Sequence, residues 1–440
     1  YLNFGLGSDD QIKKITVIWN NGNQEVLSDV QINSTIEFDI NNSTPKESDI
    51  AKDINKYFES ENIIEYKHEE NIYNDYVKEV LLPHENSRLG PGIASGDING
   101  DGLEDFVIGG AKDQKTAMFF QTPDGSFKKI DKVFPESHKV YEDMDMSLVD
   151  FDNDGDLDLY IVSGGNEFEP NDPILKDRLY INDGFGNFIY NYNSIPDNFS
   201  SGMRVSSADF DKDGDIDLFV GGRVVPGSYP LPAESYLLVN NSSENSVSFT
   251  NADLSVFPFK DIGLVTSSVW ADYNNDSWID LIVVGEWTPI TFYKNTEGKF
   301  SKDNSLIDED STRGWWYDIT AEDFDKDGDL DFVVGNLGNN YKYQTSEEGT
   351  FDIYYSDFDK NNSGDIVLSY FNDGEQYPLR GRQCSSDQIP AIKTKFKDYD
   401  AFSIATLEDV YTEPALENSL HYFTKTFSSV YLKNTGNSFE

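Results

Sequence analysis

A nine-residue pattern rich in aspartate occurs six times in the chain. The copies begin at Asp97, Asp150, Asp209, Asp272, Asp323 and Asp357. Each copy carries side-chain oxygens at its first, third, fifth and ninth positions, and most copies place glycine at the sixth, where the backbone must turn sharply. Together with a backbone carbonyl at the seventh position, these oxygens can surround one hard cation that takes about 6–8 oxygen ligands. The pattern therefore predicts calcium-binding loops.

The candidate ligands occupy positions 1, 3, 5, 7 and 9 of loops one to six. They are Asp97, Asn99, Asp101, Leu103 and Asp105; Asp150, Asp152, Asp154, Asp156 and Asp158; Asp209, Asp211, Asp213, Asp215 and Asp217; Asp272, Asn274, Asp276, Trp278 and Asp280; Asp323, Asp325, Asp327, Asp329 and Asp331; and Asp357, Asp359, Asn361, Ser363 and Asp365. We expect up to six Ca²⁺ ions. The loops at 272 and 357 fit least well, because Ser277 stands at position 6 of the former and the glycine of the latter at position 8. Simple polar turns are the alternative, but turns do not require carboxylates at alternating positions six times.

The residues after each loop exclude an EF-hand. An EF-hand places a bidentate Glu at position 12, on a helix that leaves the loop. Position 12 is apolar in every copy: Ile108, Ile161, Val220, Val283, Val334 and Leu368. After the first five loops, short runs of β-branched and aromatic residues end at glycine, which indicates buried strands.

Hairpins follow most of the loops. Examples, each with Asn or Gly at its turn, are Phe119–Phe127, Leu179–Phe188, Phe292–Phe300 and Val430–Phe439. Aromatic residues around such a turn suit cross-strand packing in an antiparallel sheet. Successive loops begin 34 to 63 residues apart, which is room for several strands per unit. The predicted fold class is an all-β β-propeller, and six loops plus a terminal hairpin leave six or seven blades open.

The composition supports this class and excludes several partners. The chain of 440 residues has 30 Phe and 25 Tyr and a formal net charge of −46. So acidic a surface repels polyanions, which argues against DNA, RNA and anionic lipid as partners. No run of 18 apolar residues exists, so the sequence predicts no transmembrane segment in this piece. Cys384 is the single cysteine and forms no disulfide within the chain.

The loop followed by a strand and Gly-Gly resembles the FG-GAP/VCBS repeat of integrin α-subunit propellers and of many secreted bacterial proteins. The segments 221–230, 335–340 and 377–382 are similar to the cartilage-acidic-protein branch of that family. Residues 3–7, 15–22 and 32–36 resemble the small ASPIC/UnbV domain that accompanies these repeats. The domain order, with a composition typical of AT-rich genomes, resembles surface proteins of Bacteroidetes. The resemblance implies a propeller with calcium loops.

The predicted layout has three parts. Residues 1–41 form a small β domain, and residues 42–85 form a polar connection with a short helix near 48–60. Residues 86–440 form the propeller, with a helical insertion near 383–428. We expect the chain to be a piece of a longer polypeptide, because residue 1 opens inside an apparent strand.

Few residues outside the loops suggest chemistry. The four histidines are scattered without metal-ligand spacing. Arg223, Arg380 and Arg382 can grip a carboxylate or an anionic sugar, although neutralising structural carboxylates is the alternative favoured for so acidic a protein. Trp287 and the pair Trp315–Trp316 can stack on sugar rings or, as we expect, fill the core between blades.

Three functions fit the sequence. The first is a non-enzymatic, calcium-stabilised extracellular scaffold that binds a glycan or a protein at the cell surface, and it is favoured because calcium loops of moderate affinity stay loaded outside the cell. The second is a calcium-dependent enzyme acting on polysaccharides, such as a lyase. The third is an architectural subunit of an outer-membrane surface complex. We predict no catalytic residues and more readily a binding protein than an enzyme.

Overall fold

A computed structural model describes residues 11–45, 63–243, 246–259, 262–345, 349–436 and 438–440. The chain divides into two compact units, Tyr1–Asn62 and Ile63–Glu440. The helix predicted near residues 48–60 lies outside the described residues. The connection predicted over residues 42–85 falls into both units, since everything from Ile63 onward belongs to the larger one.

The smaller unit holds a three-stranded antiparallel sheet. Its strands are β1 (Ile12–Ile18), β2 (Asn23–Val30) and β3 (Thr44–Pro45). The turn between β1 and β2 contains Gly22 at φ +83°, a backbone region that glycine enters without steric cost. The Gly22 N–H donates to the Trp19 carbonyl at 2.9 Å and closes the turn.

The larger unit is built from sheets that we number 1 to 6 by the loop each one carries. Sheet 1 has β4 (Ile93–Gly96), β5 (Asp105–Ile108), β6 (Ala117–Gln121) and β7 (Phe127–Ile130). Sheet 2 has β8 (Asp143–Val149), β9 (Asp158–Ser163), β10 (Arg178–Ile181) and β11 (Ile189–Tyr190). Sheet 3 has β12 (Gly202–Ala208), β13 (Asp217–Gly222), β14 (Tyr236–Asn240) and β15 (Phe249–Asn251).

The remaining sheets are less regular. Sheet 4 has β16 (Leu264–Ala271), β17 (Asp280–Thr288), β18 (Thr291–Thr296) and β19 (Lys299–Lys302). Sheet 5 has β20 (Gly314–Glu322), β21 (Asp331–Asn336) and β26 (Val430–Leu432), and it joins sheet 4 where β17 pairs with β20. Sheet 6 has β22 (Phe351–Ser356), β23 (Asp365–Asn372), β24 (Glu375–Pro378) and β25 (Leu420–Thr424).

Sheets 1 to 5 form a consecutive array. Their first strands, β4, β8, β12, β16 and β20, lie side by side in that order. Apolar side chains fill the space between neighbouring sheets, for example Phe151 and Tyr160 of sheet 2 against Leu218 and Val220 of sheet 3. Antiparallel four-stranded sheets repeated in this way are the blades of a β-propeller, and the protein is all-β in class.

Sheet 6 lies within sheet 5 in the sequence. β21 ends at Asn336 and its partner β26 begins at Val430, so sheet 6 falls between two paired strands of sheet 5. Its order is β24-β23-β22-β25, which places the first strand inside the sheet instead of at its edge. The terminal hairpin therefore completes sheet 5 and does not form a separate blade.

Five short helices stand between β24 and β25, inside the range where the sequence predicted a helical insertion. They are α1 (Arg382–Gln388), α2 (Ala391–Lys395), α3 (Tyr399–Ser403), α4 (Leu407–Tyr411) and α5 (Glu413–Glu417). Thr406 and Asp409 form a reciprocal capping box at the start of α4. Leu407 and Val410 of α4 pack against Tyr354 and Val367 of sheet 6, so the helices cover one face of that sheet.

The segment from Ile63 to β4 is part of the larger unit. Leu81 and Leu82 pack in one cluster with Trp287 and Trp315. The ring of Tyr66 meets Phe119 of sheet 1 edge-on at 5.7 Å. The segment therefore belongs to the propeller core, although its composition is polar.

Candidate metal centres

All six aspartate-rich loops connect the first strand of a sheet to the second. In sheet 1 the Asp97 carboxylate accepts the N–H groups of Asp101 at 3.0 Å and Gly102 at 2.9 Å. Asp101 in turn accepts the N–H of Leu103 at 2.9 Å. Corresponding bonds from the sixth residue to the first aspartate shape the other five loops, so the carboxylate at position 1 folds each ring.

The sixth position adopts a left-handed backbone in all six loops. Gly102, Gly155, Gly214 and Gly328 have φ between +83° and +99°. Ser277 of loop four and Asn362 of loop six adopt φ of +71° and +67°. Asn tolerates this region better than most residues. The two loops that fit the sequence pattern least therefore keep the same backbone turn.

Four loops bring three carboxylates together. The groups are Asp150, Asp152 and Asp154; Asp209, Asp211 and Asp217; Asp323, Asp325 and Asp331; and Asp357, Asp359 and Asp365. Within each group, one oxygen from every residue lies within 4.8 Å of the others. Loops one and four carry an amide at position 3, Asn99 or Asn274, where the other four loops have an aspartate. The clusters are compatible with calcium, and loop six forms one although its sequence departs from the pattern.

The ninth residue of each loop is a buried aspartate. Asp158 accepts the N–H groups of Asn182 at 2.9 Å and Phe151 at 3.3 Å. Burial raises the pKa of Asp158 to about 7, although its two N–H bonds act in the opposite direction. Burial raises the pKa of Asp217 to about 8 against the corresponding N–H bonds of Asn240 and Phe210. Burial likewise raises the pKa of Asp280 to about 7. A divalent cation in the loop would supply the positive charge that favours the ionised carboxylates.

In sheets 2 to 5, an asparagine near the end of the third strand ties the loop of that sheet to the loop of the preceding sheet. In sheet 4, the Asn295 Nδ2 donates to the carbonyl of Phe210 in loop three at 2.7 Å and to that of Ile279 in its own loop at 3.0 Å. We call these residues bridging asparagines: Asn182, Asn240, Asn295 and Asn434. The sequence showed them as turn residues of the hairpins, and their role between sheets was missed because it depends on two chain-distant carbonyls.

The arginine and tryptophan candidates have structural partners. Arg223 is buried and pairs with Glu286, which also accepts from His84 at 2.6 Å and Tyr229 at 2.9 Å. Burial alone would raise the pKa of Glu286, but the charges of His84 and Arg223 outweigh it and lower the pKa to about 2.

Arg382 donates to three backbone carbonyls at the end of α2 and just beyond it. Trp287, Trp315 and Trp316 are fully buried in the core. Arg380 is partly exposed and lines a surface cavity together with Lys342 and the exposed Cys384.

The fold and its loops define a repeat protein of the β-propeller type with acidic, cation-compatible loops. The profile of the FG-GAP-like repeat family matches residues 97–161, 150–220 and 237–334, about half of the chain. The chain belongs to the FG-GAP-like repeat family. The profile of the ASPIC and UnbV domain matches residues 1–45. Membership of the cartilage-acidic-protein branch stays a prediction.

Solved structures show similarity at low identity. A lectin of Agrocybe aegerita that recognises non-reducing terminal N-acetylglucosamine is 16% identical, with 77% of this chain and 72% of that chain covered and a TM-score of 0.39. The V. cholerae biofilm matrix protein Bap1 is 17% identical, with 66% and 39% covered and a TM-score of 0.27. A thermostable family-43 glycoside hydrolase is 11% identical, with 68% and 96% covered and a TM-score of 0.29. Likeness at this level carries no inference about ligand or activity.

No curated protein matches the chain. Within the part of the chain that the structure describes, no helix is long and apolar enough to cross a membrane.

Proposed function

We propose that this chain is a non-enzymatic, calcium-stabilised extracellular scaffold that binds a glycan or a protein at the cell surface. The observation that carries the proposal is the convergence of three carboxylates within 4.8 Å in each of four loops. Oxygen-only ligand sets of this kind suit a hard cation such as Ca²⁺, which accepts 6–8 oxygens in flexible geometry.

We expect one Ca²⁺ in each of the six loops, held by the residues at positions 1, 3, 5, 7 and 9. Loops one, four and six have three carboxylates at positions 1, 3, 5 and 9, against four in the other loops, because Asn99, Asn274 and Asn361 replace an aspartate. Affinity at such sites rises with the number of ligand charges, so these three loops should bind most weakly. Calcium loops of moderate affinity stay loaded outside the cell, which supports an extracellular location.

A cleft of about 400 Å³ on the larger unit is suited to a ligand with both apolar faces and polar groups. The partly exposed rings of Phe259 and Tyr422 line it together with Lys302 and Arg313. Aromatic side chains beside hydrogen-bond donors are the combination that sugar rings require. Lys302 pairs with Glu309 at 2.7 Å, and Arg313 pairs with Asp310 at 2.9 Å.

Calorimetric unfolding with millimolar calcium and with excess EDTA tests the metal part of the proposal. One site filled at 100 times its Kd adds about 2.7 kcal/mol, so several filled sites should raise Tm strongly. The double variant Asp209→Asn/Asp211→Asn should lose part of this increase, whereas Asp131→Asn, an exposed aspartate outside the loops, should keep all of it. An equal Tm with calcium and with EDTA would refute calcium stabilisation.

A glycan array and partner capture in calcium test the binding part. Lys302→Ala at the cleft should weaken binding of any ligand found about tenfold, by loss of a charged hydrogen bond. Lys299→Ala, an exposed lysine on the same strand that does not line the cleft, should leave binding unchanged. Equal affinities of the two variants would exclude this cleft, and turnover of a polysaccharide would contradict the non-enzymatic assignment.

A further inference from the structure

Each sheet of the array presents three apolar side chains to the sheet that follows it. The first is the second residue of the loop, and the second lies two places after the loop. The third lies three places before the bridging asparagine, or before the corresponding residue in sheet 1. We call these seam residues. In sheets 1 to 4 they are Ile98, Val107 and Met118; Phe151, Tyr160 and Leu179; Phe210, Phe219 and Leu237; and Tyr273, Ile282 and Phe292. All twelve are 2% exposed or less.

The following sheet covers them in the same way each time. It places a phenylalanine of its hairpin into the cluster with the seam residues: Phe188, Phe249, Phe300 and Phe439 for sheets 2 to 5. Its bridging asparagine donates to the carbonyl of the first seam residue at 2.7 to 2.9 Å. The cover thus has two defined parts, an aromatic ring and a side-chain amide.

Sheet 5 presents the same three positions without a cover. Phe324, Val333 and Tyr431 are 46%, 40% and 45% exposed. Val333 and Tyr431 are register partners on β21 and β26, and the rings of Phe324 and Tyr431 meet edge-on at 6.0 Å, so the three form one patch. No donor among the described residues bonds the Phe324 carbonyl, the position that a bridging asparagine satisfies in sheets 1 to 4.

Sheet 6 shows that the face is normally buried even where no blade follows. Val367 occupies the position that corresponds to Val333, and helices α1 to α5 cover it so that 2% remains exposed. Of the six sheets, only sheet 5 leaves this position open within the described residues. A surface that is buried in five of its six occurrences indicates a binding face and not an ordinary exposed residue.

We propose that the seam residues of sheet 5 are a docking site for one further blade of the same repeat. The occupant is a β-hairpin that carries an asparagine, to donate its amide to the Phe324 carbonyl, and a phenylalanine, to pack on Phe324, Val333 and Tyr431. A second copy of this face fits poorly, since it brings no amide donor. It would also bring the aspartates of loop five close to their own copies, where like charges repel.

Thiol accessibility tests the proposal in the full chain. Cys384→Ser removes the native thiol, and Val333→Cys adds one on the exposed face, where folding tolerates it. A maleimide should react readily with this chain. In a second protein, a copy of residues 252–303 follows Glu440. These residues contain sheet 4 with Asn295 and Phe300, which cover the seam residues of sheet 3. The reaction should then slow at least tenfold, and it should recover when the copy carries the changes Asn295→Ala and Phe300→Ala.

Ile282→Cys, at the same position beneath sheet 5, is the control and should be unreactive in both proteins. Equal reactivity of Val333→Cys with and without the added blade would overturn the proposal. Protection of Val333→Cys in the chain without the blade, increasing with protein concentration, would also overturn it and would instead assign the face to contacts between copies.

Discussion

Sheets 4 and 6 carry the same kind of loop, yet their faces are covered by different structures. Ile282 of sheet 4 lies beneath sheet 5, whereas Val367 of sheet 6 lies beneath helices. The loops nevertheless share the hydrogen bonds from positions 5 and 6 to the first aspartate. Loop shape is therefore encoded within nine residues, and the cover of each sheet is encoded separately, by an asparagine and a phenylalanine or by helices elsewhere in the chain.

Truncating the second residue of loops three, six and five should lower the free energy of unfolding by different amounts, depending on what covers the side chain. Phe210 lies beneath a blade, Phe358 packs on Tyr411 of α4, and Phe324 is open. We expect Phe210→Ala to lower the free energy of unfolding by about 4 kcal/mol, Phe358→Ala by about 2 kcal/mol and Phe324→Ala by less than about 0.5 kcal/mol. Denaturant unfolding in calcium measures all three, and equal losses would mean that cover does not determine the cost.

Removing a bridging asparagine should lower the free energy of unfolding of the array. Within the described ranges, sheet 6 has no such asparagine. Asn295→Ala leaves the carbonyls of Phe210 and Ile279 unpaired in a buried seam, and we expect a loss of about 2 kcal/mol. Asn241→Ala, in an exposed turn, is the matched control and should cost under about 0.5 kcal/mol. Similar stabilities of the two variants would show that the bridge contributes nothing.

A buried glutamate at the end of sheet 2 opposite the loop should make the array sensitive to pH. Burial raises the pKa of Glu142 to about 8, above its value of 4.5 in the unfolded chain, although the Lys112 N–H bonded to it acts in the opposite direction. The protonated form is favoured by folding, so this stability is present below pH 4.5 and is lost as pH rises to 8.

The free energy of unfolding of Glu142→Gln should therefore exceed that of the parent by about 1–3 kcal/mol at pH 8, and the two should be equal at pH 4. Thermal unfolding across this range measures the difference. Asp131→Asn, which changes an exposed carboxylate, should parallel the parent chain, and a constant gap between Glu142→Gln and the parent would contradict the assignment.

The smallest effect concerns the loops themselves. Asn274→Asp would place an aspartate at position 3 of loop four, where loop six already has Asp359. We expect calcium affinity at this loop to rise several-fold, because ligand charge sets affinity in such sites. Calcium titration of the variant beside Asn304→Asp, at an exposed asparagine outside the loops, separates a ligand effect from added charge. A rise shared by both variants would indicate general electrostatics.

The loops and the strands after them were predictable because their signal is local. Aspartates at alternating positions and apolar runs such as Phe106–Ile108 define them without reference to distant residues. The place of sheet 6 was not predictable, since the pairing of β21 with β26 joins segments more than ninety residues apart. One clue existed: only 34 residues separate the first aspartates of loops five and six, too few to complete a blade.

In the candidate site, too, the local features were predictable and the contacts between distant residues were not. Positions 1, 3, 5 and 9 were read directly from residue type, and four loops gather their carboxylates in space. The partner of Arg223 could not be read, because Glu286 lies 63 residues away and reaches it only through the sheet packing. Loop six looked defective from its displaced glycine, but Asn362 adopts the required φ of +67°.

The separation of β21 from β26 also sets an order of events during synthesis. At 5–20 residues per second, β26 leaves the ribosome about 5–20 s after β21. Sheets 1 to 4 have all their strands by then, but β21 waits with one edge unpaired, which is a template for aggregation. Sheet 6 leaves the ribosome during this interval. A nascent chain stalled before Val430 therefore has all strands of sheet 6, while sheet 5 still lacks β26.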